Sequence, residues 1–331
     1  MHEIARWNSP VLDSTLPVIE ASRSVRTNRE AIRSVAGWMA YEEFGLQDGS
    51  FLFDFGRDRD VLTDLVVFES ALNFAFTDFD TSARFEVDYQ GGRYMDAEAM
   101  LACIHRAWTS GSPVLDGAWM AAATRADLET LFSGTIEMPL LDERVAILNE
   151  LGRTLVDRFQ GSFHAWAATC EPAAYAGGTG LLERLVGDFP RFDDVSEYGG
   201  GSVRFHKLAQ LCVWFLHAVR VRLGGEAVRD LPRLTAFADY IVPVALRVMG
   251  ILEYAPDLEA KIEGGQLIDR DSPEEIEIRA HIVFATALLT NALNERRPPD
   301  LQLVIPQVDF RLWKAYHATF RRHHLTRTTM Y

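Results

Sequence analysis

The chain has 331 residues, 48% hydrophobic and 24% charged, enough to bury a sizeable core and unlike a disordered or fibrous composition. The 47 acids against 33 bases leave a formal charge of −14, which argues against a broad nucleic-acid or anionic-membrane surface but allows a local basic pocket for one phosphate. Three scattered cysteines without a CxxC argue against a disulfide framework or a cysteine zinc site.

The opening MHEIARWNSPVLDS lacks signal-peptide order, and apolar runs such as IVFATALL fall short of the ~20 residues of a membrane span. A soluble cytoplasmic protein is expected, with no direct nucleic-acid or membrane partner.

Helical periodicity dominates the chain. TNREAIRSVAGWMAYEEFG carries a candidate capping box from Thr27 to Glu30, with Ile32, Val35, Ala36 and Met39 on one face. DAEAMLACIHRAWTSG follows with Asp96 as candidate cap, then TRADLETLFSG with Thr124 as cap, then the long LLDERVAILNELGRTLVDRFQG. Further helices are expected in VRFHKLAQLCVWFLHAVRVRLGG, in EEIEIRAHIVFATALLTNAL, and from about Val308 to Arg322. One β signal interrupts: ARFEVDYQGGRYM alternates on both sides of Gly91-Gly92, a hairpin pattern. AYAGGTG, SEYGGGS and NERRPPD read as loops, and the glycines lack the strand-then-helix setting of a dinucleotide loop. With no separating linker, residues 1–331 read as a single mainly α-helical domain with one small hairpin, its first ~15 residues peripheral.

Candidate chemistry is sparse. His323-His324 sit in a basic tail and read as solvated surface, and no HExxH motif or other metal pattern stands out. GSFHAWAATC places Ser162, His164 and Cys170 close in sequence without a nucleophile elbow.

In LTAFADYIVPVAL, residues 234–246, one carboxylate, Asp239, interrupts an apolar run. Pro243 stands at the spacing where it cannot donate to the Asp239 carbonyl. The residues leave two readings open: a helix cap, or an acid held in apolar surroundings because it is used. Asp309, before Leu312, Trp313 and Tyr316, reads first as an N-cap. Arg204, His206 and Lys207 fall at an expected helix start, which suits an anion, or equally a solvated face. Phe237 and Phe310, each beside one of the two acids, read as core residues or as platforms for a planar ligand.

Several blocks in order resemble the queuosine salvage proteins, which are queuosine 5′-phosphate N-glycosylases: ESALNFAF, VDYQGGRY, MPLLDERVAILNELG, GGSVRFHKLAQ, LTAFADYIVPVAL, EEIEIRA, VDFRLW and the tail HHLTRTTMY. The resemblance runs from about residue 15 to the last residue. It implies a largely helical fold similar to helix-hairpin-helix DNA glycosylases. It also implies hydrolysis of the N-glycosidic bond of queuosine 5′-monophosphate, releasing queuine for salvage into tRNA, with no metal or organic cofactor.

Residue by residue, the resemblance implies Asp239 as the catalytic acid and Phe237 as a wall of the base pocket. Asp309, with Phe310 beside it, would bind ligand; Lys207 would meet the phosphate, assisted by Arg204 or His206; Asn73 matches a further family position. After Tyr94 the usual aromatic-rich run is replaced by MDAEAM, a departure close to the expected pocket. The alternatives kept open are a non-catalytic modified-nucleotide or tRNA-binding protein, and a glycosylase acting on another purine or deazapurine nucleotide.

Overall fold

The amphipathic runs close into fourteen α-helices and three two-stranded antiparallel sheets among the residues described by this computed structural model: 4–45, 49–316, 319 and 321–331. Caps set several helix starts. Thr124 and Asp127 form a reciprocal box at Arg125–Leu131, and Ser272 accepts from the Glu275 N–H ahead of Pro273–Asn294. The second helix, Arg29–Met39, is capped by Asn28, whose side chain accepts from the Glu30 and Ala31 N–H groups; Thr27 instead ends a strand. Asp96 opens Asp96–Thr109 without capping it, because its carboxylate is turned to Arg84.

The expected hairpin pairs Glu86–Tyr89 with Gly92–Met95 through a two-residue turn in which Gln90 and Gly91 both have positive φ. A second hairpin stands where SEYGGGS suggests a loop. Val195–Tyr198 pairs with Gly201–Arg204 around Gly199-Gly200, φ +59° and +82°, the same turn chemistry hidden in a run of three glycines. Arg204 therefore lies on a strand. The helix expected from VRF onward begins at Lys207, with His206 in the left-handed region at its N-cap.

Two apolar cores form. One gathers residues from Phe53 to Val219 together with Val228, Leu234 and Phe237. The other joins residues 4–40 to Val203, Phe205 and the stretch from Ala236 to Leu312. Helix Arg59–Ala71 packs on Lys207–Arg222 in the first; Pro10–Ala21 and Arg29–Met39 pack on Pro273–Asn294 in the second. The 22-residue Pro273–Asn294 is long and apolar enough to cross a membrane, but 94% of its apolar window is buried inside the protein. A helix apolar all round in this setting is a core helix. The FADY stretch runs between the two cores: Phe237 packs into the first, its neighbours Ala236 and Ala238 into the second.

Candidate active site

Asp239 stands at this seam. Its Oδ1 accepts from the Ile241 and Val242 N–H groups, 2.9 Å each, forming the turn that leads into helix Val242–Val248, with Pro243 in the first turn. The same side chain lines a cleft whose other polar members are Asn73, Lys207 and Asp96. Aromatic walls come from Phe74, Phe76, Tyr240, Trp313 and Tyr331. The free volume is only about 30 Å³. A second small space, sharing Phe76, Tyr240 and Tyr331, reaches His323 and His324.

Lys207 is buried at the N-terminus of Lys207–Arg222, and its Nζ donates to the Asn73 carbonyl at 3.2 Å. Burial pulls its pKa down to about 8, against the attraction of Asp239 and Asp309. Asp309 is 3% exposed, and its Oδ1 accepts from the Phe237 N–H at 2.9 Å. Burial, then the neighbouring Asp239 charge, push its carboxyl well above the usual carboxylate range, opposed by the Phe237 N–H and Lys207. Asp309 belongs to the second turn of Ile305–Tyr316, so it is no N-cap: Ile305 and Pro306 extend the helix upstream of the expected start. Of the helix expected to reach Arg322, residues 317, 318 and 320 lie outside the described residues.

A further acid, Glu69, sits behind this group. It accepts from Asn73 Nδ2 at 3.1 Å, and burial raises its pKa to about 7, against that bond and the charge of Lys207. The loop carrying Asn73 is held by two buried guanidiniums. Arg144 donates to the carbonyls of Leu72, Phe74 and Ala75, and Arg191 to that of Ala71 at 2.8 Å. Arg191 also donates to the Thr329 carbonyl, and the Ala75 N–H to that of Tyr331, which ties the tail to the same loop. On the other side, Arg279 pairs with Asp194, both buried, and its Nε donates to the carbonyl of Ala238 beside Asp239.

Of the residues singled out from sequence, Asn73, Lys207 and Asp239 line the cleft together. Phe237 and Asp309 touch each other just behind it. Phe310 is one ring removed, stacked 6.3 Å from Trp313. Arg204 and His206 are not among the lining: the Arg204 backbone exchanges hydrogen bonds with Ser14 Oγ, and the His206 ring faces Asp193 at 3.4 Å. The tail departs from the solvated reading, since His324 is buried and the His323 ring lies tilted against that of Tyr240, 4.6 Å between centroids.

Tyr240, Phe74 and Phe76 stood in quoted blocks without being singled out, whereas Tyr331 marks the tail's fit to the family's ending. Asp96 belongs to the MDAEAM departure, which does fall in the cleft wall.

Ser162 Oγ, His164 and Asp64 form a hydrogen-bonded chain, 3.2 Å and 2.8 Å. The neighbouring N–H groups that an acyl-transfer site would aim at an oxyanion are occupied. Those of Phe163 and His164 go to Asp64, and that of Ala165 goes to Ser162 Oγ. The chain is a helix-capping device. Among the described residues no three His, Cys, Asp or Glu side chains group as a metal site would.

The chain matches the family described as queuosine salvage protein over residues 55–331. It is 35% identical over 324 residues, 97% of each chain, to the queuosine 5′-phosphate N-glycosylase/hydrolase of Sphaerobacter thermophilus. Proteins of the same name from Schizosaccharomyces pombe and Mus musculus are 30% and 28% identical, covering 88% and 89% of this chain and 87% and 89% of their own lengths. Every residue lining the Asp239 cleft falls inside the matched span, and the chain belongs to the queuosine salvage protein family.

Proposed function

We propose that this chain hydrolyses the N-glycosidic bond of queuosine 5′-monophosphate, releasing queuine and ribose 5-phosphate, with Asp239 as the acid at the reacting carbon. The observation that carries the assignment is the held carboxylate of Asp239 in a cleft walled by five aromatic rings. Breaking a ribosyl C1′–N bond builds positive charge on the sugar. A fixed carboxylate in a water-poor site stabilises that charge without reorganising, because its Oδ1 is already oriented by two N–H donors. From the same position it can attack C1′ or take a proton from water.

The 7-deazaguanine base has no N7 to protonate, so stabilisation of the sugar cation bears more of the barrier. The rings of Phe74, Phe76, Tyr240 and Trp313 suit the flat base. Lys207, the buried cation among the acids, serves the sugar-phosphate end. Asp309 meets the ligand's cationic arm or guanine-like edge while Oδ1 remains on Phe237. Arg204 and His206 have no part in this arrangement. A fold related to helix-hairpin-helix glycosylases and a place in the reducing cytoplasm, which three free cysteines suit, belong to the same proposal.

The test is chromatographic, following free queuine from queuosine and from its 5′-monophosphate. Turnover of the monophosphate in preference to the nucleoside, abolished in Asp239→Asn, is expected. An Asn variant at the parent rate removes Asp239 from the chemistry.

A further inference from the structure

Helix Arg59–Ala71 carries a carboxylate where one is costly. Glu69 lies in its last turn, so a negative charge stands at the negative pole of the helix, and the residue is 8% exposed. Lys207, whose charge acts on it, donates to the Asn73 carbonyl rather than to Glu69. An ionised group in such a place destabilises the fold, and its raised pKa is the mark of that cost. What the carboxylate does hold is the Asn73 side chain, whose Nδ2 donates to Glu69 Oε1 at 3.1 Å.

That bond decides which way the Asn73 carboxamide faces. An ionised carboxylate only accepts, so it selects the NH2 side of the amide. Oδ1 is the remaining polar atom of the side chain, and it has no hydrogen bond to any described residue. Asn73 is half-buried in the wall of the same cleft as Asp239, with a free volume of about 30 Å³ between the walls. Its backbone is fixed as well, by Lys207 on its own carbonyl and by Arg144 on the carbonyls of Leu72 and Phe74 to either side. An acceptor held on so rigid a loop, beside the acid, needs no reorganisation to receive a donor. The contact with Lys207 places it at the sugar-phosphate end of the cleft.

We propose that Glu69 is a positioning residue of the reaction: it turns Asn73 Oδ1 toward the reacting space, where that oxygen accepts from the ribose 2′-hydroxyl. The proposal rests on the hydrolase reading of the cleft. With Asp239 at C1′, the hydroxyl on the next carbon is the sugar donor nearest the bond that breaks. A hydrogen bond from it strengthens as positive charge develops on the sugar. A site built to accept from that hydroxyl disfavours a sugar lacking it, because the acceptor then goes unpaired.

Two measurements test this. Ribose 5-phosphate and 2-deoxyribose 5-phosphate are titrated calorimetrically into the full chain, and release of queuine from queuosine 5′-monophosphate is timed. The parent is compared with Asn73→Ala, Glu69→Met, Glu69→Gln and Glu69→Met/Asn73→Ala, with melting curves as the check on folding. The parent is expected to bind ribose 5-phosphate about tenfold or more tightly than the deoxy sugar. Asn73→Ala and Glu69→Met lose that preference and about tenfold or more in kcat. Glu69→Gln still accepts from Asn73 Nδ2, and it keeps the preference and most of the rate. The double variant is no slower than Asn73→Ala, since both changes act through one contact. Parent-like preference in folded Glu69→Met overturns the proposal, as do losses that add in the double variant. So does equal affinity of the parent for the two sugars, or saturation by neither up to ~10 mM. A parent that prefers the ribose sugar, loses the preference in Glu69→Met and yet releases no queuine removes the hydrolase reading and leaves the contact standing.

Discussion

Asp239 builds the turn on which it stands. Because Oδ1 accepts from Ile241 and Val242, the cap reading and the working-acid reading describe one side chain. Asparagine retains an oxygen for both N–H groups and removes the charge; alanine removes both. Asp239→Asn is therefore expected to keep the parent melting temperature while kcat falls by roughly 10²–10³ or more, the scale of a lost electrostatic stabiliser. Asp239→Ala adds a stability loss of about 1 kcal/mol, read from denaturant curves.

Asp309→Asn likewise keeps the bond from the Phe237 N–H. Its effect should appear in KM, about 10–100-fold upward, with the melt unchanged; a pure loss of stability would place Asp309 in support of the loop only.

Glu69 gives a pH signature. Its pKa, ordinarily 4.5, is raised to about 7, so the folded state binds this proton more tightly than the unfolded chain. The contribution is complete below pH 4.5 and is lost as pH rises through 7, a swing of roughly 3 kcal/mol. Glu69→Gln, which can still accept from Asn73, should melt above the parent at pH 8 and level with it near pH 4.

At the scale of elements, the blocks that carried the resemblance form the frame of the cleft. Arg144, in MPLLDER, holds the carbonyls of the loop bearing Asn73, and the tail closes on the same loop through Ala75 and Arg191. The last glycine of MPLLDERVAILNELG has a packing reason. A Cβ on Gly152 would lie 2.1 Å from the Ala121 nitrogen and 2.6 Å from the Gly117 carbonyl oxygen, where helices Gly117–Ala122 and Leu141–Arg158 meet. Backbone cannot yield as a side chain can. Gly152→Ala is expected to lose about 1–3 kcal/mol in denaturant titration.

Helix positions were legible because their signal is local, apolar spacing above all and the Thr124 cap, and the Gly91 hairpin was legible for the same reason, whereas the caps expected at Thr27 and Asp96 fall elsewhere. The Gly199-Gly200 hairpin was missed because a glycine-rich run carries no alternating side chains to betray the strands beside it. Arg204 was misplaced for that reason, since a strand residue was read as a helix start. Asp309 was misread as a cap because Ile305 and Pro306 look like the end of a loop and are in fact the first turn. The rings of Tyr240, Trp313 and Tyr331 come together only across the seam, a relation between distant segments that periodicity does not encode.

For the whole molecule, the pair Arg279–Asp194 matters more than its two charges. Buried at the seam, Arg279 lies over the rings of Phe205 and Tyr331 and donates to the Ala238 carbonyl. Removing one partner strands the other charge away from water. Arg279→Met is expected to lose about 3–5 kcal/mol in urea titration, and Asp194→Asn added to it should recover part of that loss.

Phe237 packs into one core and the alanines on either side of it into the other, so the chain leading to Asp239 is clamped between two independently packed bodies. The acid thus acts as a gauge of their alignment. A cavity cut into either core, far from the cleft and too mild to unfold the protein, would tilt one jaw of the clamp and slow turnover while the folded fraction held steady. Damage to this protein should be read first as lost rate and only later as lost structure.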